Sequence, residues 1–158
     1  MKIIKAVILC FVALTATSAF AQEKTDTTNM QILLDKVKAD KKLVVAANME
    51  LSETEGKAFW PIYESYQTDL QALNERLGKT ILAYADAYNK KTLTDAQAMQ
   101  LTNEALTIDQ DELNLRKSYA PKLARVIPAK KVARYLQIEN KIRAAIRYDL
   151  ASGIPLVQ

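Results

Sequence analysis

The chain has 158 residues, a net charge of +4, no histidine, one cysteine and three glycines. Without imidazole, and with its single thiol, Cys10, inside an N-terminal apolar run, it lacks the preferred ligands of common Zn, Cu and Ni sites, the usual general base, and both the Ser-His and Cys-His nucleophile pairs. Gly56, Gly78 and Gly153 stand too far apart for a phosphate-binding loop, so a non-enzymatic role with no cofactor and no metal is expected.

The chain opens with a basic "MKIIK", an apolar "AVILCFVALTATSAF" and the small-x-small pattern Ala19-Phe20-Ala21. This predicts a secretory signal peptide over residues 1–21, cleaved after Ala21. A spanning helix wants roughly 20 apolar residues, and Thr15, Thr17 and Ser18 thin this run. Leu9 stands where a lipoprotein signal needs a small residue before the cysteine. Cleavage removes Lys2 and Lys5 from the 22 basic residues, leaving 20 against 18 acidic ones and a charge of about +2, which argues against general nucleic-acid binding. The mature chain enters an oxidising compartment with no disulfide available, so packing alone must hold it.

Residues 22–28, "QEKTDTT", read as a flexible leader, and residues 29–158 as a single all-helical domain. Asn29 caps a first helix over "MQILLDKVKADKKLVVAANM", whose apolar stripe is interrupted by "KADKK". In "LSETE", Ser52 and Glu55 sit three apart as a capping box, and Thr94 and Gln97 repeat it in "LTDAQ". From Phe59 the apolar positions Tyr63, Tyr66, Leu70, Leu73, Leu77, Ile81, Tyr84 and Tyr88 follow in steps of three or four, an amphipathic helix. The part from Pro61 to Asn89 alone would extend roughly 43 Å, so an elongated shape is expected. Pro61 predicts a kink in one helix rather than two helices.

"NKKTLTD" supplies a turn, after which Leu101, Ala105, Ile108, Leu115 and Tyr119 form one stripe with Met99, Leu106 and Leu113 beside it. The short turn makes the two helices an antiparallel hairpin. Pro121 and Pro128 punctuate the next stretch, Pro128 opening a last helix as its first-turn residue. That helix buries Tyr135, Ile138, Ile142, Ile146 and Leu150, and Gly153 caps it before Pro155. The expected fold is all-α, about four helices in elongated hairpins with proline kinks near Pro61 and Pro121/Pro128.

Two constellations point to binding rather than chemistry. Phe59, Trp60, Tyr63 and Tyr66 surround the Pro61 bend, either as core or as adaptable contact area. Lys130, Arg134, Gln137 and Lys141 share one helical face as a basic ridge, either a solvated face with a Glu139–Arg143 pair or a surface for acidic partners or anionic lipid. Asp109, Asp111 and Glu112 cluster on the third helix, but neighbouring helical residues point in different directions, so these acids read as a solvated face rather than a glycosidase pair.

"LTDAQ" (Leu93 to Gln97) matches the LTxxQ signature of the Spy and CpxP group of periplasmic proteins, and "LSETE" (Leu51 to Glu55) resembles a looser copy. The resemblance covers roughly residues 51–147 and implies a curved helical homodimer of the periplasm. Such a dimer shields unfolded envelope proteins without ATP or damps an envelope-stress sensor domain. The strict motif occurs once, and the histidines of the metal-sensing relatives are absent. The leading expectation is a chaperone-like or stress-modulating protein with an amphipathic basic and aromatic surface; the alternative is a structural or membrane-surface scaffold acting through self-association.

Overall fold

A computed structural model describes residues 40–157 of the chain. All regular structure among the described residues is helical: α1 over residues 40–49, α2 over Glu53–Asn89, α3 over Asp95–Ala124 and α4 over Ala129–Gly153. The expected signal peptide, leader and Asn29 cap lie outside the described residues. α2, α3 and α4 belong to one compact unit, Met49–Gln158. No helix among the described residues is long and apolar enough to cross a membrane.

Both capping boxes form. Glu55 N donates to Ser52 Oγ at 3.2 Å while Ser52 N donates to Glu55 Oε2 at 2.8 Å, and Gln97 N and Thr94 N make the reciprocal bonds at 3.2 and 3.3 Å. Each box satisfies two of the amide donors that a helix start leaves unpaired. Ser52→Ala and Thr94→Ala should each lower the unfolding free energy by about 1 kcal/mol. Urea titration checks this, and a summed loss in the double variant would show that the two sites act independently.

Pro61 lies inside α2 and is exposed, so α2 is one continuous helix as expected. Pro121 behaves the same way: it lies inside α3, which passes through it to Ala124. The carbonyls that these prolines leave unpaired belong to Lys57 and Lys117, both exposed, where water can replace the missing donor. Pro128 sits one position earlier than expected, as the N-cap of α4, with no side-chain cap bond. Gly153 is also reassigned. It is the last helical residue and does not adopt positive φ; Ile154 takes the C-cap in an extended conformation, which the ring of Pro155 imposes on the residue before it.

The turn between α2 and α3 shows why no glycine marks it. Thr92 N donates to Ala87 O at 2.9 Å and Lys91 N to Tyr88 O at 3.1 Å, the paired bonds of a Schellman motif. The left-handed position falls to Lys91, at φ 56°.

α2 and α3 pack along one another, with α4 against α3. Phe59, Tyr66, Tyr135 and Leu123 are essentially inaccessible, with Tyr63, Ile108, Tyr119, Ile127 and Val132 close behind. Tyr135 meets Phe59 edge-on at 5.2 Å between ring centroids, Tyr63 at 6.0 Å and Tyr66 at 6.1 Å, and Tyr66 meets Tyr119 at 5.3 Å. Edge-to-face pairs of this kind contribute about 0.5–1.5 kcal/mol each beyond the area they bury. This aromatic core joins all three helices at one end of the hairpin.

Candidate functional site: an apolar groove on the hairpin

The same apolar stripe that builds the aromatic core continues along α2 toward the turn, but there it is incompletely covered. Leu77, Ile81 and Tyr84 from α2 and Leu101 from α3 are only half-buried. With the last turns of α4 they line an apolar groove of about 560 Å³. Ala98, Ala105 and Ala151 lie along it, and their short side chains leave the space that leucines would have filled. One wall is the chain end after α4: Tyr84 Oη donates to Pro155 O at 2.9 Å, while Leu156 beyond it remains 88% exposed.

A cross-braced polar layer separates groove from core. Arg76 of α2 donates to Glu104 at 3.1 Å and to Asp111 at 2.7 Å. From α4, Arg147 reaches Asp109 and, at 3.1 Å, Glu112, while Arg143 approaches Glu112 at 3.4 Å. This corrects the expectation of a solvated acidic face. α3 runs between the other two helices, so acids that diverge around it meet arginines on both sides, and Glu112 is buried. The side chain of Arg147 borders the groove, but its charge is already answered.

Of the two readings of the aromatics around Pro61, core or contact area, the structure favours the core. Phe59, Tyr63 and Tyr66 are buried, and Trp60 is half-buried edge-on to Phe59 at 5.1 Å and Tyr63 at 5.3 Å. Their rings face inward because Tyr135 from α4 closes over Phe59, Tyr63 and Tyr66. Beside these rings lies a buried carboxylate, Glu139, which accepts from Gln67 Nε2 at 3.0 Å. Burial, and then the Glu139 charge, raise the hydroxyl pKa of Tyr63, Tyr66 and Tyr135 above the ordinary value. Burial, followed by a 2.6 Å bond to Asp69, pushes Tyr119 up to about 12.

These shifts carry a pH dependence. Each raised hydroxyl stabilises the fold fully below its unfolded pKa of about 10, and that contribution is lost as pH rises through the folded value. Unfolding free energy should therefore be flat on the tyrosines' account at neutral pH. Above about pH 10 it should fall by up to about 1.4 kcal/mol per pH unit for each group. Ultraviolet titration of phenolate alongside circular dichroism checks it: these four tyrosines should ionise together with unfolding.

The basic ridge is partly spent on the fold. Arg134 pairs with Glu50 at 3.3 Å, and the neighbouring Lys131 binds Glu55 at 2.6 Å and Glu50 O at 2.7 Å. The Lys131 ammonium, followed by the Ser52 amide, holds the Glu55 carboxyl below its usual range, so the first capping box also anchors α4. Lys130 and Lys141 remain exposed. Sequence spacing gave Lys131 no separate role and placed Leu77, Ile81, Tyr84 and Leu101 in apolar stripes without showing that they line a groove; the alanines at 98, 105 and 151 are the signal that could have revealed it. Among the described residues no cluster of acids could hold a metal ion. No protein-family model matches the chain, and neither a curated protein nor a solved structure does.

Proposed function

We propose that the chain is an exported, non-enzymatic helical protein that holds apolar segments of other proteins in the groove between the hairpin and the end of α4. The observation that carries this reading is the groove itself, a solvent-open apolar concavity lined by Leu77, Ile81, Tyr84 and Leu101. Surfaces of this kind on otherwise charged proteins mark interaction sites. In the periplasm it would act as a chaperone-like or stress-modulating factor toward unfolded or envelope proteins, or a sensor domain. The exposed ammonium groups of Lys130 and Lys141 would speed encounter with acidic chains or an anionic membrane surface. The test is light scattering of a chemically denatured client diluted with the purified mature protein. Suppression at about equal molar ratio is expected, and none at severalfold excess would remove the reading.

A second reading, a scaffold acting through self-association, is favoured by a different feature. Met99 and Leu106 on α3 are 59% and 61% exposed, far from the groove-facing side of that helix.

A further inference from the structure

α3 carries two apolar stripes on opposite sides. Leu101, Ile108 and Leu115 recur every seven residues and turn inward, with Ile108 buried. Met99, Leu106 and Leu113 also recur every seven residues, yet they are 59%, 61% and 37% exposed. Asn103 and Gln110 fall between them and are exposed, so the outward series runs 99, 103, 106, 110, 113 in alternating steps of four and three. This is a coiled-coil seam with Met and Leu at d and carboxamides at a.

We infer that this face pairs with the same face of a second copy, the two α3 helices lying parallel and in register. Three observations select that occupant and orientation. First, a carboxamide carries both a donor and an acceptor and is therefore its own complement. Parallel, in-register pairing sets Asn103 against Asn103 and Gln110 against Gln110, whereas antiparallel pairing sets each amide against an apolar d residue and leaves it unanswered. In the single chain Gln110 donates to Asn114 at 3.0 Å, a bond within the same exposed face, and its carbonyl oxygen stays open.

Second, leucine at d is the choice of parallel two-stranded seams. Third, the flanks carry few charges. Gln100, Thr107 and Asn114 border one side, with Lys79 of α2 beside Met99 and Asn103; on the other, Asp109 is bound by Arg147 and Arg116 is the remaining charge. Flanking charges are what direct a coiled coil toward a different partner or repel an identical one, and here they are few over about five turns of helix. Lys117 takes the next a position, where two facing ammonium groups end the seam. With apolar layers at alternate positions only, the pairing is reversible and concentration-dependent.

The inference specifies the surface and orientation behind the self-association reading. It does not depend on the groove, which lies on the inward side of α3. Disulfide trapping tests it in a Cys10→Ala background, which leaves each introduced cysteine as the sole thiol. Asn103→Cys and Gln110→Cys should each cross-link to themselves about tenfold faster than Lys90→Cys in the α2–α3 turn, because pairing raises the effective concentration of the two thiols. Adding Leu106→Lys should abolish that advantage and leave a monomer by sedimentation velocity. Leu106 is exposed, so the fold survives the change, and aggregation suppression by the groove should persist. Equal cross-linking at positions 90, 103 and 110, or a sedimentation coefficient unchanged by Leu106→Lys, would overturn the inference.

Discussion

Tyr135→Ala is expected to lose about 4 kcal/mol of unfolding free energy, seen as a lower urea midpoint. The ring is inaccessible and sits edge-on or tilted among Phe59, Tyr63 and Tyr66, so truncation removes the transfer energy and opens a cavity that three helices must collapse to fill. A loss of that size is a large share of the roughly 5–15 kcal/mol available to a domain. Tyr135→Phe separates ring from hydroxyl. The hydroxyl accepts from Gln67 Nε2 at 3.3 Å, and its removal should cost about 1 kcal/mol. It should also soften the alkaline unfolding, because one raised phenol is gone. If Tyr135→Ala were as stable as the parent, the aromatic cluster would not be what joins α4 to the hairpin.

The second large effect is functional. Ile81→Glu and Leu101→Glu each place a carboxylate in the groove, half-exposed in the free protein and therefore tolerable to the fold. A bound apolar segment would have to desolvate that charge, at a cost of about 2 kcal/mol or more, equivalent to a roughly thirtyfold loss of affinity. Aggregation suppression should collapse while helical circular dichroism is unchanged. Lys130→Glu with Lys141→Glu should behave differently, slowing association and flattening its salt dependence with less effect on the affinity of an apolar client.

What the sequence disclosed and what it withheld divide along range. The capping boxes at Ser52 and Thr94 were legible because their partners lie three residues away, and the helical period of the aromatic stripe announced α2. The Schellman turn hid behind Lys91, since a lysine in the left-handed conformation carries no sequence mark. Pro121 marked a place of strain without saying whether the helix continues, because a helix passes through a proline where the unpaired carbonyl can reach water, and exposed Lys117 leaves that carbonyl on the outer face. The acids of α3 found arginines 28 to 38 residues away, a distance at which spacing rules are silent. Periodicity identified which residues face inward on α2, but only packing shows that α4 covers Tyr63 and Tyr66 fully and Leu77 and Ile81 in part.

The most direct test is a methyl nuclear magnetic resonance titration of the isotopically labelled protein with an unfolded client. Shifts concentrated at Leu77, Ile81, Leu101, Leu150 and Leu156, and lost in Leu101→Glu, are the predicted result. A client that binds without moving those methyls, or that perturbs only the surface of α4 around Lys130 and Lys141, would contradict the claim that this protein works through its apolar groove.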